Sequence, residues 1–196
     1  MPQRSDTPIN RGNVVVLTGR RGSGKDYFIE RLRASSDEMI TRASFSDELR
    51  WLAHDIFPWC PANPSVEAKD KPIDDPRNIL NLTPREVWLR LCGDTPNNLT
   101  EIDTHVLLER FRKRWDTIFN SAPDEIFIIS DLRRPWEYEY VKQILGAKII
   151  KIIDGRLERS AHDFEDVIES YEEDVRVINR RDEESVDMFI TKFWSV

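Results

Sequence analysis

The sequence is poor in the residues that usually carry covalent or metal chemistry. It has two cysteines, Cys60 and Cys92, far apart and in no metal-ligand spacing, and three histidines, His54, His105 and His162, none beside a suitable partner. That pattern excludes a zinc module and a disulfide framework, and it favours a reduced, intracellular setting such as the cytoplasm. No nucleophile elbow is present. No apolar run approaches the length of a membrane span. The opening stretch, residues 1–12, is polar throughout, lacks the apolar segment of a secretory signal and reads as a disordered leader. The net charge of −7 argues against a general nucleic-acid binder. It leaves room for small anions, because a local cluster of Lys and Arg can dominate the potential of a cleft. The 196 residues suit one domain of ordinary size, and no internal repeat or second domain is evident.

Glycine is scarce too, at seven residues, yet Gly19, Gly22 and Gly24 fall almost together. They follow the β-branched run Val14, Val15, Val16, Leu17, Thr18 and precede Lys25, Asp26 and a helical pattern through Tyr27, Phe28 and Leu32. Strand, glycine-rich turn, Lys and helix is the layout of a phosphate-binding P-loop. Glycines let successive N–H groups, including that of Ser23, turn toward phosphate oxygens. The helix N-terminus adds about half a positive charge at the same place, and Lys25 would lie along the β- and γ-phosphates. The spacing from Gly19 to Lys25 fits G-x-x-x-x-G-K. The next residue departs from the pattern: Asp26 stands where a Ser or Thr usually binds Mg²⁺.

Further strands are expected at 39–45, Glu125–Asp131, Ala147–Ile153 and Val175–Ile178, alternating with helices. The third is a continuous apolar run, as a parallel strand buried on both faces reads. Five alternating strands argue for an α/β three-layer domain around a mostly parallel sheet. Between the second and third strands, residues from about 46 to 120 form a helical insert. Ser46 is placed as an N-cap ahead of Leu49, Leu52, Ala53 and Ile56. Thr83-Pro84-Arg85-Glu86 carries a capping box leading into Val87 and Trp88. Residues 58–82 are rich in proline and read as an ordered loop on the substrate side or as a disordered one. The basic run Arg110, Arg112, Lys113, Arg114 reads as a solvated helix face or as a stripe touching substrate phosphate.

The third strand ends in Ser130 and Asp131, followed by Leu132, Arg133 and Arg134. In an open parallel sheet ligands sit beyond the carboxyl ends of the strands. Asp131 is therefore placed with Asp26 to handle Mg²⁺, and the guanidiniums of Arg133 and Arg134 suit an acceptor phosphate. Arg156 and Arg159, after the fourth strand, fit either a lid closing over ATP or an exposed charged helix in the region of about 155–173. The inventory matches phosphoryl transfer, which needs in-line positioning and positive charge around the moving group.

These residues resemble the phage-type deoxynucleoside monophosphate kinases over most of the chain. GRRGSGKD is similar to that family's P-loop, including Asp after Lys. SFSDELRWLA resembles the stretch near the acceptor nucleotide, and KDKPIDDPRNILNLTPREVWLRLCGD its proline-rich loop and TPRE helix start. IFIISDLRRPWEYEYVKQILGAKIIKI resembles its Asp-x-Arg strand end with a Glu shortly after, and VINR the Asn-containing strand before the last helix. The resemblance implies a P-loop kinase fold and transfer from ATP, with Mg²⁺, to a deoxynucleoside monophosphate. Gly22, Gly24, Lys25 and Asp26 would hold ATP and metal, and Asp131 and Arg133 would face the reaction centre with Glu137 in support. Ser46 and Trp88 fall in the acceptor-side stretches. Small-molecule substrates are implied, with no nucleic-acid polymer and no membrane, and a homodimer left open. The chain departs from the family at Gly93-Asp94-Thr95 and at Arg134-Pro135-Trp136-Glu137, which leaves base preference open. Animal-type phosphomevalonate kinases share the SGKD loop and the Ser-Asp-x-Arg-Arg strand end, and a nucleotide-binding module without turnover is the remaining alternative.

Overall fold

The computed structural model describes residues 13–92, 97–156 and 163–195, apart from the side chains of residues 163–166. The leader, the Gly93-Asp94-Thr95 turn and Arg159 lie outside the described residues. Five strands, β1 (Val14–Thr18), β2 (Ile40–Ala43), β3 (Ile126–Ile129), β4 (Lys148–Ile153) and β5 (Val175–Ile178), form one sheet in the order β2-β3-β1-β4-β5. All four pairings are parallel. Helices cover both faces, so the chain has the α/β fold expected from the alternation of its elements.

Burial explains the strand composition. All five residues of β1 are buried, because a central parallel strand meets helices on both sides. Val15 and Leu17 join Ile128, Ile150, Ile152 and Val177 on one face, against Phe28, Ile29 and Leu32 of α1 (Lys25–Ala34) and Val186, Phe189 and Phe193 of α8 (Glu183–Phe193). Each such side chain contributes about 1.5–3 kcal/mol when fully buried. On the other face Phe127 meets Phe119 edge-on at 4.9 Å between centroids. Phe119 belongs to α5 (Val106–Ser121).

In the order β2-β3-β1-β4-β5 the chain leaving β1 runs to β2 on one side, and the chain leaving the adjacent β3 runs to β4 on the other. This is the topological switch point, where the loops leaving the strand ends diverge and open a crevice. The loop after β1 is the glycine-rich turn, and the loop after β3 is Ser130–Arg134. The register aligns Val16 with Ile129 and Ala43 with Ile129, so the ends of β1, β2 and β3 lie side by side.

The chain divides into two compact units, Met1–Ser44 with Ile118–Val196, and Phe45–Thr117. The first holds the sheet. The second contains α2 (Phe45–Ile56), α3 (Pro84–Cys92), α4 (Leu99–Ile102) and most of α5. Its core is Ala53, Cys60, Val87 and Trp88, with Leu49, Phe57, Trp59, Ile73, Leu82 and Leu91 around them. The capping box at α3 forms as expected: Glu86 N–H donates to Thr83 Oγ1 at 3.2 Å and Thr83 N–H to Glu86 Oε2 at 2.8 Å. The proline-rich stretch is ordered around Asn78, whose amide donates to the carbonyls of Ile73 and Leu82 and accepts from Leu82 N–H, each at 2.9 Å.

Three local expectations differ. Ser46 does not cap α2, which begins at Phe45 and leaves Ser46 inside the first turn. The helix expected between the third and fourth strands is α6 (Pro135–Glu139) continued by a π-helical turn, Tyr140–Ile144. The basic run of α5 is not simply solvated: Arg110 and Arg114 lie 3.7 and 3.3 Å from Glu48, a carboxylate only 1% exposed. Burial raises the Glu48 carboxyl above its ordinary range, and the two arginines oppose that shift. Two guanidiniums beside one buried acid are recruited by tertiary packing, which periodicity does not reveal.

Candidate functional site

The glycine-rich turn owes its shape to backbone conformations that side chains resist. Gly19, Gly22 and Gly24 have φ of 142°, 79° and 95°. A Cβ on Gly24 would lie 2.5 Å from Asn179 Nδ2, and one on Gly19 would collide with the carbonyl oxygen of Ile152. Ser23 is fully buried, and its N–H closes the turn on Arg20 O at 3.1 Å. Gly24 caps α1, so the positive end of that helix opens at Lys25.

Lys25 folds over its own loop. Its ammonium donates to Gly19 O at 2.6 Å, Arg20 O at 2.9 Å and Ser23 Oγ at 3.4 Å. Asn179, which follows β5, clamps the turn from behind: its buried amide donates to Ser23 O at 2.8 Å. Nothing in the local spacing of residues 13–26 points to this contact. It comes from the strand order, which brings the end of β5 to the loop after β1.

Asp26 is 80% exposed at its side chain, with Arg42 Nε 3.7 Å from its carboxylate. Arg42 in turn donates to Ser130 Oγ at 2.8 Å. Asp131 is 8% exposed and accepts from Ser44 Oγ at 2.8 Å. Arg42, Ser44 and Ser130 thus join the carboxylates at the ends of β2 and β3. None was expected from motif reading; their positions at strand ends are the signal that was available.

Arg133 is exposed and Arg134 half-buried, with the Arg134 guanidinium 5.3 Å from the Trp136 ring centroid. Their turn is held by Glu137, 6% exposed, whose Oε2 accepts from the N–H groups of both Arg133 and Arg134 at 2.9 Å. Burial, followed by the nearby Asp131 charge, pushes the Glu137 carboxyl up to about 7, against the pull of the two amide donors. On the far side of β1, Asp154 is wholly buried and receives Arg156 Nε and Arg181 Nε, each at 2.9 Å. The Arg156 hydrogen bond leads the causes that hold the Asp154 carboxyl down at about 2. Arg156 is therefore engaged with its own strand end, while Arg159 falls outside the described residues. Trp88 and Ser46 belong to the Phe45–Thr117 unit, where Trp88 is 8% exposed in the core with Arg50 over its ring at 5.3 Å.

Among the described residues no group of three or more His, Cys, Asp or Glu is arranged to hold a metal ion. Mg²⁺ needs no such cage: it keeps several waters and binds through one or two carboxylates plus phosphate oxygens. The exposed carboxylate of Asp26, at the mouth of the loop that carries Lys25, has the chemistry for that.

No family model matches the chain, and no curated protein matches it. Among solved structures it is similar to the crystal structure of TT1252 from Thermus thermophilus, with a TM-score of 0.51 and 14% identity over 96% of this chain and 97% of that one. At that identity the likeness supports the α/β fold alone.

Proposed function

We propose that this protein is a P-loop kinase that transfers the γ-phosphoryl group of ATP to a deoxynucleoside monophosphate, with Mg²⁺. The observation that carries the reading is a juxtaposition. The loop with Lys25 occupies the switch point, and the adjacent strand ends in Asp131, Arg133 and Arg134. A donor-phosphate cradle beside a pair of guanidiniums suits two phosphates that must meet in line.

On this reading the N–H groups of the turn and the α1 N-terminus bind the β-phosphate. Lys25 moves from its loop carbonyls to the β and γ oxygens. Arg133 and Arg134 hold the acceptor phosphate and offset its repulsion of ATP. An acceptor phosphate oxygen then forms a bond to the γ-phosphorus as the bond to the β–γ bridging oxygen breaks, and ADP leaves with that electron pair. The attacking oxygen is already ionised, so no general base is required. Mg²⁺ bound through Asp26, directly or through water, would supply charge neutralisation on the β and γ oxygens. Asp131, held by the Ser44 hydroxyl, is the second carboxylate that would carry Mg²⁺ or its bound water.

ADP release measured with dAMP, dCMP, dGMP, dTMP and mevalonate 5-phosphate as acceptors tests this. Turnover with at least one deoxynucleoside monophosphate is expected. Turnover with mevalonate 5-phosphate alone would replace it with the second family, and no turnover with any acceptor would favour a nucleotide-binding module.

A further inference from the structure

Tyr171 stands between α7 (Asp163–Ser170) and β5, far from either phosphate-binding motif in sequence. It is 7% exposed, and its hydroxyl donates to the backbone carbonyl of Arg133 at 3.1 Å. Its ring lies flat on that of Tyr138, 4.5 Å between centroids and 9° between planes. Tyr138 is the neighbour of Glu137, whose carboxylate holds the N–H groups of Arg133 and Arg134. The Arg133–Arg134 peptide is therefore gripped on both sides: its N–H, that of Arg134, by Glu137, and its carbonyl, that of Arg133, by Tyr171. The base carrying Tyr171 is itself fixed. Lys151 of β4 donates to Glu169 O at 3.0 Å, Asp174 N–H donates to Ile149 O at 2.9 Å, and the Asp174 carboxylate accepts from Ile149 N–H at 2.8 Å. The Glu169 side chain pairs with Arg20, a residue of the glycine-rich turn. Two residues of one short segment thus reach the two loops that flank β1.

We propose that Tyr171 is a positioning residue that sets the orientation of Arg133 toward the acceptor phosphate. The catalytic meaning rests on the phosphoryl-transfer reading; the geometric claim does not. An arginine on an exposed turn samples many directions, and a fixed peptide plane limits where its side chain begins. Tyr171 acts through the backbone, so the effect falls on acceptor binding and spares the donor loop.

The test is Tyr171→Phe, which retains the ring stack and removes only the hydroxyl. Amide hydrogen exchange at Arg133 and Arg134 is expected to quicken roughly three- to tenfold, the range spanned by one neutral hydrogen bond, with Ser23 and Gly24 unchanged. The acceptor KM is expected to rise by a similar factor, with the KM for ATP constant and the melting temperature close to that of the parent. Unchanged exchange at Arg133 and Arg134 would overturn the proposal whatever the enzyme's substrate. So would equal shifts in both KM values, which is what a general loosening gives. If the parent protein turns over no acceptor, the exchange experiment still decides the matter, and the two failures are told apart.

Discussion

The loops after β1 and β3 lie at neighbouring strand ends and are built on opposite principles. The first is made mainly by its own residues: three glycines at positive φ, a helix start and a lysine within residues 19–25, with Asn179 and Glu169 reaching it from afar. The second is made at a distance: its arginines are consecutive, but their backbone is held by Glu137 and Tyr171, and Asp131 beside them is held by Ser44. A loop shaped by its own dihedrals tolerates change around it and little within it. A loop held by partners elsewhere can be loosened by substitutions tens of residues away.

Lys25→Met attacks the local loop at its charge. Activity with ATP is expected to fall by about 10²–10³-fold, the usual loss on removing one donor to transition-state charge, while the urea midpoint stays near that of the parent. Turnover within threefold of the parent would show that Lys25 is not the cation at the γ-phosphate.

Glu137→Gln addresses the remote loop. The folded carboxyl titrates at about 7, above its ordinary 4.5. The folded state therefore holds a proton that the unfolded state releases, and stability falls as pH rises through that window. The group is almost fully buried, so the loss amounts to about 3 kcal/mol across the window. Glutamine keeps an acceptor for the arginine amides and does not titrate, so the variant is expected to lose this slope. Urea unfolding of both proteins at pH 5 and pH 8 reads it directly; identical slopes would remove Glu137 as the source.

Gly24→Ala tests the local loop at its geometry. A side chain at φ 95° costs about 1–3 kcal/mol, and the new methyl meets Asn179 Nδ2. Destabilisation of that size is expected by urea unfolding, and Gly24→Ala made in an Asn179→Ala background is expected to cost less, measured against Asn179→Ala alone. An equal cost in both backgrounds would mean that the backbone dihedral alone sets the penalty.

How much was legible in the sequence follows the same division. β1, the glycine turn and α1 were readable because periodicity and left-handed glycines are local facts. The five strands and their α/β arrangement were readable from the apolar runs of a buried parallel sheet. Asp131 and Arg133 are singled out by their place just beyond a strand end, and Glu137 only by the family resemblance. Asn179 behind the turn, Ser44 on Asp131 and Tyr171 on Arg133 were not assigned these contacts, since each depends on which strands lie side by side. Ser46 is not the cap because α2 starts at Phe45, two residues earlier than a Ser46 cap requires, a difference that composition cannot resolve.

The three hydrogen bonds that Lys25 makes to its own loop turn anion recognition into an exchange. An anion entering this cradle competes for an ammonium already satisfied by the carbonyls of Gly19 and Arg20 at 2.6 and 2.9 Å. Only the surplus over those partners appears as affinity. A singly charged anion gains little from the swap, whereas a polyphosphate offers several oxygens at once to the ammonium, the turn amides and the helix end. On the kinase reading proposed above, the folded-back lysine would act as a threshold that selects for charge density ahead of base or sugar.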